Sequence, residues 1–260
     1  MIVSPTYEYP ASEWARHCLH AEQIFLRLEK YHVASSKEAH WEAVRCILQL
    51  IEIFHRDDLR GKYIRFYQGA RTYLERVARH PDVDSSLLSQ QLSELDLYSR
   101  CLYRSDSSLK IGLRDNVFFS RIRQSGEGWA IQSPDLWAWL QSNESQRLHD
   151  LKHWSQSIQP LRNLVKGVLH FLRQSETSYK VVVDNGQYIH EFSHALQSLQ
   201  LVRISLEQGK ILIVPAVHIH YKSLRVLLQT LTGVHSSAQA ASGGTIRYPV
   251  PMVLSLSFHP

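Results

Sequence analysis

Tyr179-Lys180-Val181-Val182-Val183-Asp184-Asn185-Gly186-Gln187-Tyr188-Ile189 decides how this chain is built. Three consecutive valines and two tyrosines flank Asn185-Gly186, the dipeptide that most readily supplies the two positive-φ positions of a tight hairpin turn. Everything before about Ser175 repeats its apolar residues at helical spacing, and everything after it alternates or runs β-branched. The expectation is therefore an α+β protein, with an N-terminal helical bundle domain over residues 1–175 and a small antiparallel β-sheet domain over residues 176–260.

Upstream of this switch, Trp14, Cys18, Ala21, Phe25 and Leu28 recur four and three residues apart, the stripe of an amphipathic helix from Ser12 to Tyr31. Ser35-x-x-Glu38 has the form of a capping box, and Trp41, Val44, Leu48 and Ile51 continue as a second helix ending near Arg56. Asp57 and Asp58 place negative charge at the start of a third helix, which Pro81 stops, and Asp84 caps a fourth through Leu102. Asp115 to Arg123 reads as a shorter helix, broken by Gly126-Glu127-Gly128, and Ser133-Pro134 opens another. Two further helices are expected, Glu144 to Gln156 and Pro160 to Gln174.

Downstream, Leu199 to Leu206, Ile211 to Val214, Tyr221 to Leu228 and Val250 to Phe258 read as strands, with turns at Gln208-Gly209 and Gly243-Gly244. Ser236 to Gly244 is a loop of small residues. After His194 the sequence has a single acid, Glu207, against Arg203, Lys210, Lys222, Arg225 and Arg247. Most of the net charge of +5 therefore lies in the last quarter, and a field of one sign favours an acidic partner.

The composition excludes several classes. A 44% hydrophobic content with six Trp and twelve Tyr is that of a packed protein, not a disordered one. Neither a signal-like N-terminus nor an apolar run of about 20 residues is present, so a cytoplasmic protein with no membrane contact is expected. Cys18, Cys46 and Cys101 lie far apart in apolar helical stretches and read as reduced core thiols. No glycine-rich phosphate loop and no nucleophile elbow occurs.

His190-Glu191-Phe192-Ser193-His194 spells H-E-x-x-H, in which a helix sets two imidazoles one turn apart on zinc. Here it follows a hairpin signal, its one downstream acid is Glu207, and the chain holds fifteen histidines, so a chance match is the better explanation. His149-x3-His153 and His218-x-His220 lack the third and fourth ligands a metal needs. No catalytic residue, metal ligand or cofactor is therefore expected. The residues that stand out as a binding surface are basic: Arg56 and Arg60 at the second and third helices, and Arg203, Lys222 and Arg225 in the acid-poor sheet region. Ordinary surface pairing, such as Asp57 and Asp58 with Arg56 and Arg60, is the competing explanation. A nucleic-acid-binding β-domain is the alternative function, although no aromatic RNA-binding motif or recognition helix supports it.

With those residues in view, the chain resembles the ZapD family of cell division proteins from end to end. The similarity is carried by Tyr7-Glu8-Tyr9-Pro10, Leu50-Ile51-Glu52-Ile53-Phe54-His55-Arg56, Leu113-Arg114-Asp115 and Ser133-Pro134-Asp135-Leu136-Trp137-Ala138-Trp139-Leu140. Ile158-Gln159-Pro160-Leu161 through Ser175, Asn185-Gly186-Gln187-Tyr188, Leu201-Val202-Arg203-Ile204, Pro215 to Arg225 and Val250-Pro251 continue it. The chain departs where Gly126-Glu127-Gly128-Trp129 replaces a Pro-Gly-Gly segment, where His20 stands for a basic residue, and where Gln229 stands for the second of two arginines of which Arg225 is the first. The resemblance implies a homodimer formed through helices that captures the partly acidic, partly apolar C-terminal peptide of FtsZ. Arg56 and Arg225, supported by Lys222, would face its acidic end across the junction of the two domains. Two peptide sites on one dimer would bundle FtsZ filaments at the midcell Z-ring, with avidity supplied by many weak contacts.

Overall fold

The computed structural model describes residues 5–55, 58–79, 81, 83–103, 112–124, 133–193, 198–206, 213–230, 246 and 249–259. Arg56, Asp57, Gly126-Glu127-Gly128, His194, Glu207, Gln208-Gly209, Lys210, the Ser236 to Gly244 loop and Arg247 lie outside them. The chain is α+β and divides into two compact units, one of His17–His170 and one of Met1–Arg16 with Phe171–His259.

The helical elements are α1 (Glu13–Tyr31), α2 (Lys37–Ile53), α3 (Leu59–Val77), α4 (Ser85–Ser99), α5 (Val117–Gln124), α6 (Pro134–Gln141) and α7 (Glu144–Gln174). Their starts follow side-chain chemistry. Asp84 accepts from the amides of Ser86 (2.8 Å) and Leu87 (3.3 Å) ahead of α4, and the Ser133 hydroxyl accepts from Leu136 (3.4 Å) ahead of Pro134. For α2 the cap is Ser36, not Ser35: its hydroxyl accepts from the Ala39 amide at 3.1 Å. Three residues on from the true cap is an alanine, so no reciprocal capping box forms.

The largest departure from expectation is α7, a single helix of 31 residues that runs through Pro160. Leu151, Trp154, Ile158, Leu161, Val165, Val168 and Leu172 are all buried, spaced three and four apart without interruption. Breaking the helix before Pro160 would throw this stripe out of phase. The proline forfeits one hydrogen bond and costs about 3 kcal/mol. Each buried apolar side chain contributes about 1.5–3 kcal/mol, so the continuous helix wins. Trp154 stacks on Phe118 and meets Phe119 and Trp139, with ring centroids 4.8–5.4 Å away.

A buried chain of polar contacts lies in the helical unit. Arg147 is 5% exposed and His40 fully buried, and the Arg147 Nε donates to His40 Nδ1 at 2.9 Å. Guanidinium nitrogens only donate, so His40 Nδ1 carries no proton; its Nε2–H donates to the Ala34 carbonyl at 2.6 Å. The Arg147 Nη1 donates to the carbonyls of Leu140 (3.2 Å) and Ser142 at the end of α6. This chain of bonds requires a neutral imidazole.

In the other unit, β1 (Thr6–Pro10), β2 (Thr177–Val183), β3 (Gln187–Glu191), β4 (Leu199–Leu206), β5 (Ile213–Ile219), β6 (Ser223–Thr230) and β7 (Val250–Phe258) form two antiparallel sheets, ordered β1-β4-β7-β2 and β3-β6-β5. They share one core built from both, including Ile204, Leu254 and Leu256 of one and Leu224, Val226 and Leu228 of the other. Asn185 (φ 53°) and Gly186 (φ 68°) make the tight turn the sequence calls for, closed by Gln187 N–H donating to Asp184 O at 3.2 Å. Yet β2 and β3 form no ladder with each other. Each pairs with a longer strand instead, β2 with the nine-residue β7 and β3 with the eight-residue β6, so the turn carries the chain from one sheet to the other.

Strand β1 is not among the strands expected from sequence. Its five residues pair with β4 from Thr6↔Ser205 to Pro10↔Leu201. Tyr7 and Tyr9 face the core, and their hydroxyls donate to the edge carbonyls of Ile213 (3.1 Å) and Pro215 on β5. Of the strand expected from Ile211 to Val214, Ile211 and Leu212 lie outside the described residues, and from Ile213 strand β5 runs on past Val214 to Ile219.

Candidate functional site

The outer face of the β3-β6-β5 sheet follows from the alternation along β6. Leu224, Val226 and Leu228 are buried, so Ser223, Arg225, Leu227 and Gln229 point the other way. Register then fixes their neighbours: Arg225 lies between Ile189 of β3 and His218 of β5, and Leu227 between Gln187 and Ala216. Gln229 opposes Val214, and Ser223 opposes Glu191. Directly opposed side chains sit about 5 Å apart, so these rows are continuous surfaces. Arg225 and His218 are exposed, Ile189 is 44% exposed, and the turn beyond β5 adds exposed Lys222 and Tyr221, the latter 69% exposed. Among the described residues no carboxylate pairs with Arg225 or Lys222.

Arg203 is placed differently. Its Nη1 donates to Glu176 Oε2 at 2.7 Å and its Nε lies 3.1 Å from Glu8 Oε1, out of line for a hydrogen bond but close enough for an ion pair. Arg173 donates to both Glu8 oxygens, at 2.8 and 2.7 Å. All four side chains are 20–29% exposed, and two cations balance two carboxylates. The count of acids after His194 missed this because the partners come from β1 and from Glu176, far upstream in sequence. Glu8 alternates with Tyr7 and Tyr9, and that alternation ahead of Pro10 is the signal that could have found the strand.

Arg60, in the first turn of α3, is half-buried and donates from Nη2 to the Leu102 carbonyl at 2.9 Å, which still leaves other guanidinium protons for a ligand. Arg56 lies outside the described residues.

A family model described as ZapD, cell division protein, matches residues 19–226. The chain belongs to the ZapD family. Relatives named cell division protein ZapD include one from Coxiella burnetii, 28% identical over 205 residues, covering 77% of this chain and 79% of that protein. Another, from Ralstonia pickettii, is 26% identical over 215 residues, 81% of this chain and 84% of its own length. A third, from a Janthinobacterium species, is 24% identical over 207 residues, 78% of this chain and 82% of the relative.

The zinc-like spelling in this ZapD-family chain begins on a strand, with His194 outside the described residues. His190 and Glu191 are successive residues of β3, so they face opposite sides of the sheet, and the helical i, i+4 geometry that the motif depends on is not formed at His190. His190 turns toward Tyr179 and Phe192, with ring centroids 4.8 and 4.6 Å away, and its Nδ1 is 3.1 Å from the Tyr188 hydroxyl. Burial among these rings pushes the His190 pKa down. His149 and His153 are both exposed on α7, and His220 lies past the end of β5. No helix of the described residues is long and apolar enough to cross a membrane.

Proposed function

We propose that this chain binds the C-terminal peptide of FtsZ and, as a homodimer, cross-links FtsZ filaments at the division site in the cytoplasm. The observation that carries the reading is a pair of exposed cations, Arg225 and Lys222, with no described carboxylate partner, in a chain that belongs to the ZapD family. An arginine that already holds its acid, as Arg203 does, has little charge left to offer; one without a partner attracts an acidic peptide and orients its carboxylate. Arg56 and Arg60 are included from the helical unit, Arg56 on the resemblance and Arg60 on its neighbouring place in the sequence. Binding and cross-linking need no chemical step, so no catalytic group or cofactor enters the proposal.

Co-sedimentation with polymerised FtsZ, together with light scattering, tests the reading. The expected result is protein in the pellet and a rise in scattering as filaments bundle, with a dimer mass by sedimentation equilibrium. Filaments unchanged at equimolar protein, with none of it pelleting, would overturn the proposal.

A further inference from the structure

The outer face of the β3-β6-β5 sheet is graded along β6, and the gradient has a spacing. At one end lie Lys222, Arg225 and His218; two residues further on lie Leu227 and Ala216, half-buried and apolar, followed by Val214. Arg225 and Leu227 project from the same side of one strand about 7 Å apart, the same repeat that separates alternate side chains of any extended peptide. Glu191, exposed at the β3 end of the Ser223 row, closes that corner to another carboxylate and leaves the β5 side open to one.

We infer that this face reads an extended acidic–apolar peptide by parity, seating a carboxylate on Arg225 and an apolar side chain two residues away on the Leu227–Ala216 strip. The inference rests on the FtsZ reading and deepens it, assigning the C-terminal peptide proposed there a fixed spacing between its acidic and apolar anchors. Charge complementarity supplies the first anchor, since Arg225 and Lys222 have no described acid of their own. The second anchor removes partly exposed apolar surface from water. A peptide offering a carboxylate and an apolar residue at odd separation would point them to opposite sides and satisfy one anchor at most.

The test measures fluorescence anisotropy of a labelled synthetic FtsZ C-terminal peptide against the full-length wild type, Arg225→Gln, Leu227→Gln and Leu227→Thr. A second peptide carries one added glycine between its acidic and apolar parts, and a third carries amides in place of the acids. Loss of one central anchor is expected to weaken binding about tenfold. So Arg225→Gln, Leu227→Gln, the glycine insertion and the amide peptide should each show that loss. Leu227→Thr, which puts a strand-favouring β-branched residue at the same position, guards against a folding artefact, and circular dichroism checks every variant. If the peptide binds but neither Arg225→Gln nor Leu227→Gln matters, this face is refuted while the FtsZ reading stands. If Arg225→Gln matters but Leu227→Gln and the insertion do not, recognition is by charge alone and the parity rule falls. If neither peptide nor polymerised FtsZ binds wild type, the functional reading itself fails, and this inference with it.

Discussion

Replacing His40 by Gln should remove a specific part of the dependence of stability on pH. His40 is fully buried, accepts from Arg147 Nε and donates to Ala34 O, so its imidazole is folded in as the neutral form. Burial lowers its pKa from 6.5, and the Arg147 charge adds to the effect against opposing contributions from the Ala34 carbonyl and Glu144. The sign follows from proton counting. Below 6.5 the unfolded chain takes up a proton that the folded chain refuses, so stability is full above that pH and declines as the pH falls toward the folded pKa. The limiting slope is about 1.4 kcal/mol per pH unit, which caps the loss through this residue at about 1.4 kcal/mol by about pH 5.5. A glutamine in place of His40 can accept from Arg147 and donate to Ala34 without titrating. Urea unfolding of both proteins from about pH 7.5 down to about pH 5.5 isolates the effect, because the other histidines contribute equally to each and cancel in the difference. The wild type should begin ahead and converge on the variant, or cross it, as acid is added. Two parallel curves would refute the buried neutral imidazole.

Arg225→Glu should weaken FtsZ-peptide binding more than tenfold, read by anisotropy at two salt concentrations, because an exposed cation anchoring a carboxylate contributes about 1.5–3 kcal/mol. Glu8→Gln leaves Arg173 and Arg203 short of a carboxylate in a half-buried cluster and should cost about 1–3 kcal/mol in chemical unfolding, without changing peptide affinity. Gly167→Ala should destabilise the helical unit by about 1–3 kcal/mol, seen as a lower Tm, since the added methyl would meet the Tyr67 hydroxyl and lie 2.7 Å from Tyr98 Cβ. Tyr9→Phe removes a donor from the Pro215 carbonyl and should cost about 1 kcal/mol in the same assay.

The helical elements were legible because their stripes and caps are local: Cys18, Ala21, Phe25 and Leu28 of α1 are buried as their spacing requires, and Asp84 caps α4. The misreadings arose where distant packing overrode a local signal. Pro160 is a strong breaker in isolation, and only the buried stripe on both sides of it keeps α7 whole. Asn185-Gly186 dictates a turn but not which strands pair, which is decided by β6 and β7 many residues later. For the candidate site, Arg225 and Lys222 were legible from charge bias, whereas the neutralisation of Arg203 by Glu8 was not, because it depends on the pairing of β1 with β4.

That pairing also sets an order of assembly. Thr6 and its partner Ser205 are 199 residues apart, so on the ribosome the first strand is made long before the strand it joins. At about 5–20 residues per second the wait is about 10–40 s, ample time for the intervening helices to form from local contacts. Throughout it Tyr7 and Tyr9 have no core to enter, and Glu8 has no Arg203 to meet. The β unit is therefore the last part of the chain able to close, and a nascent chain released before β4 and β7 emerge would leave its N-terminal strand without a sheet.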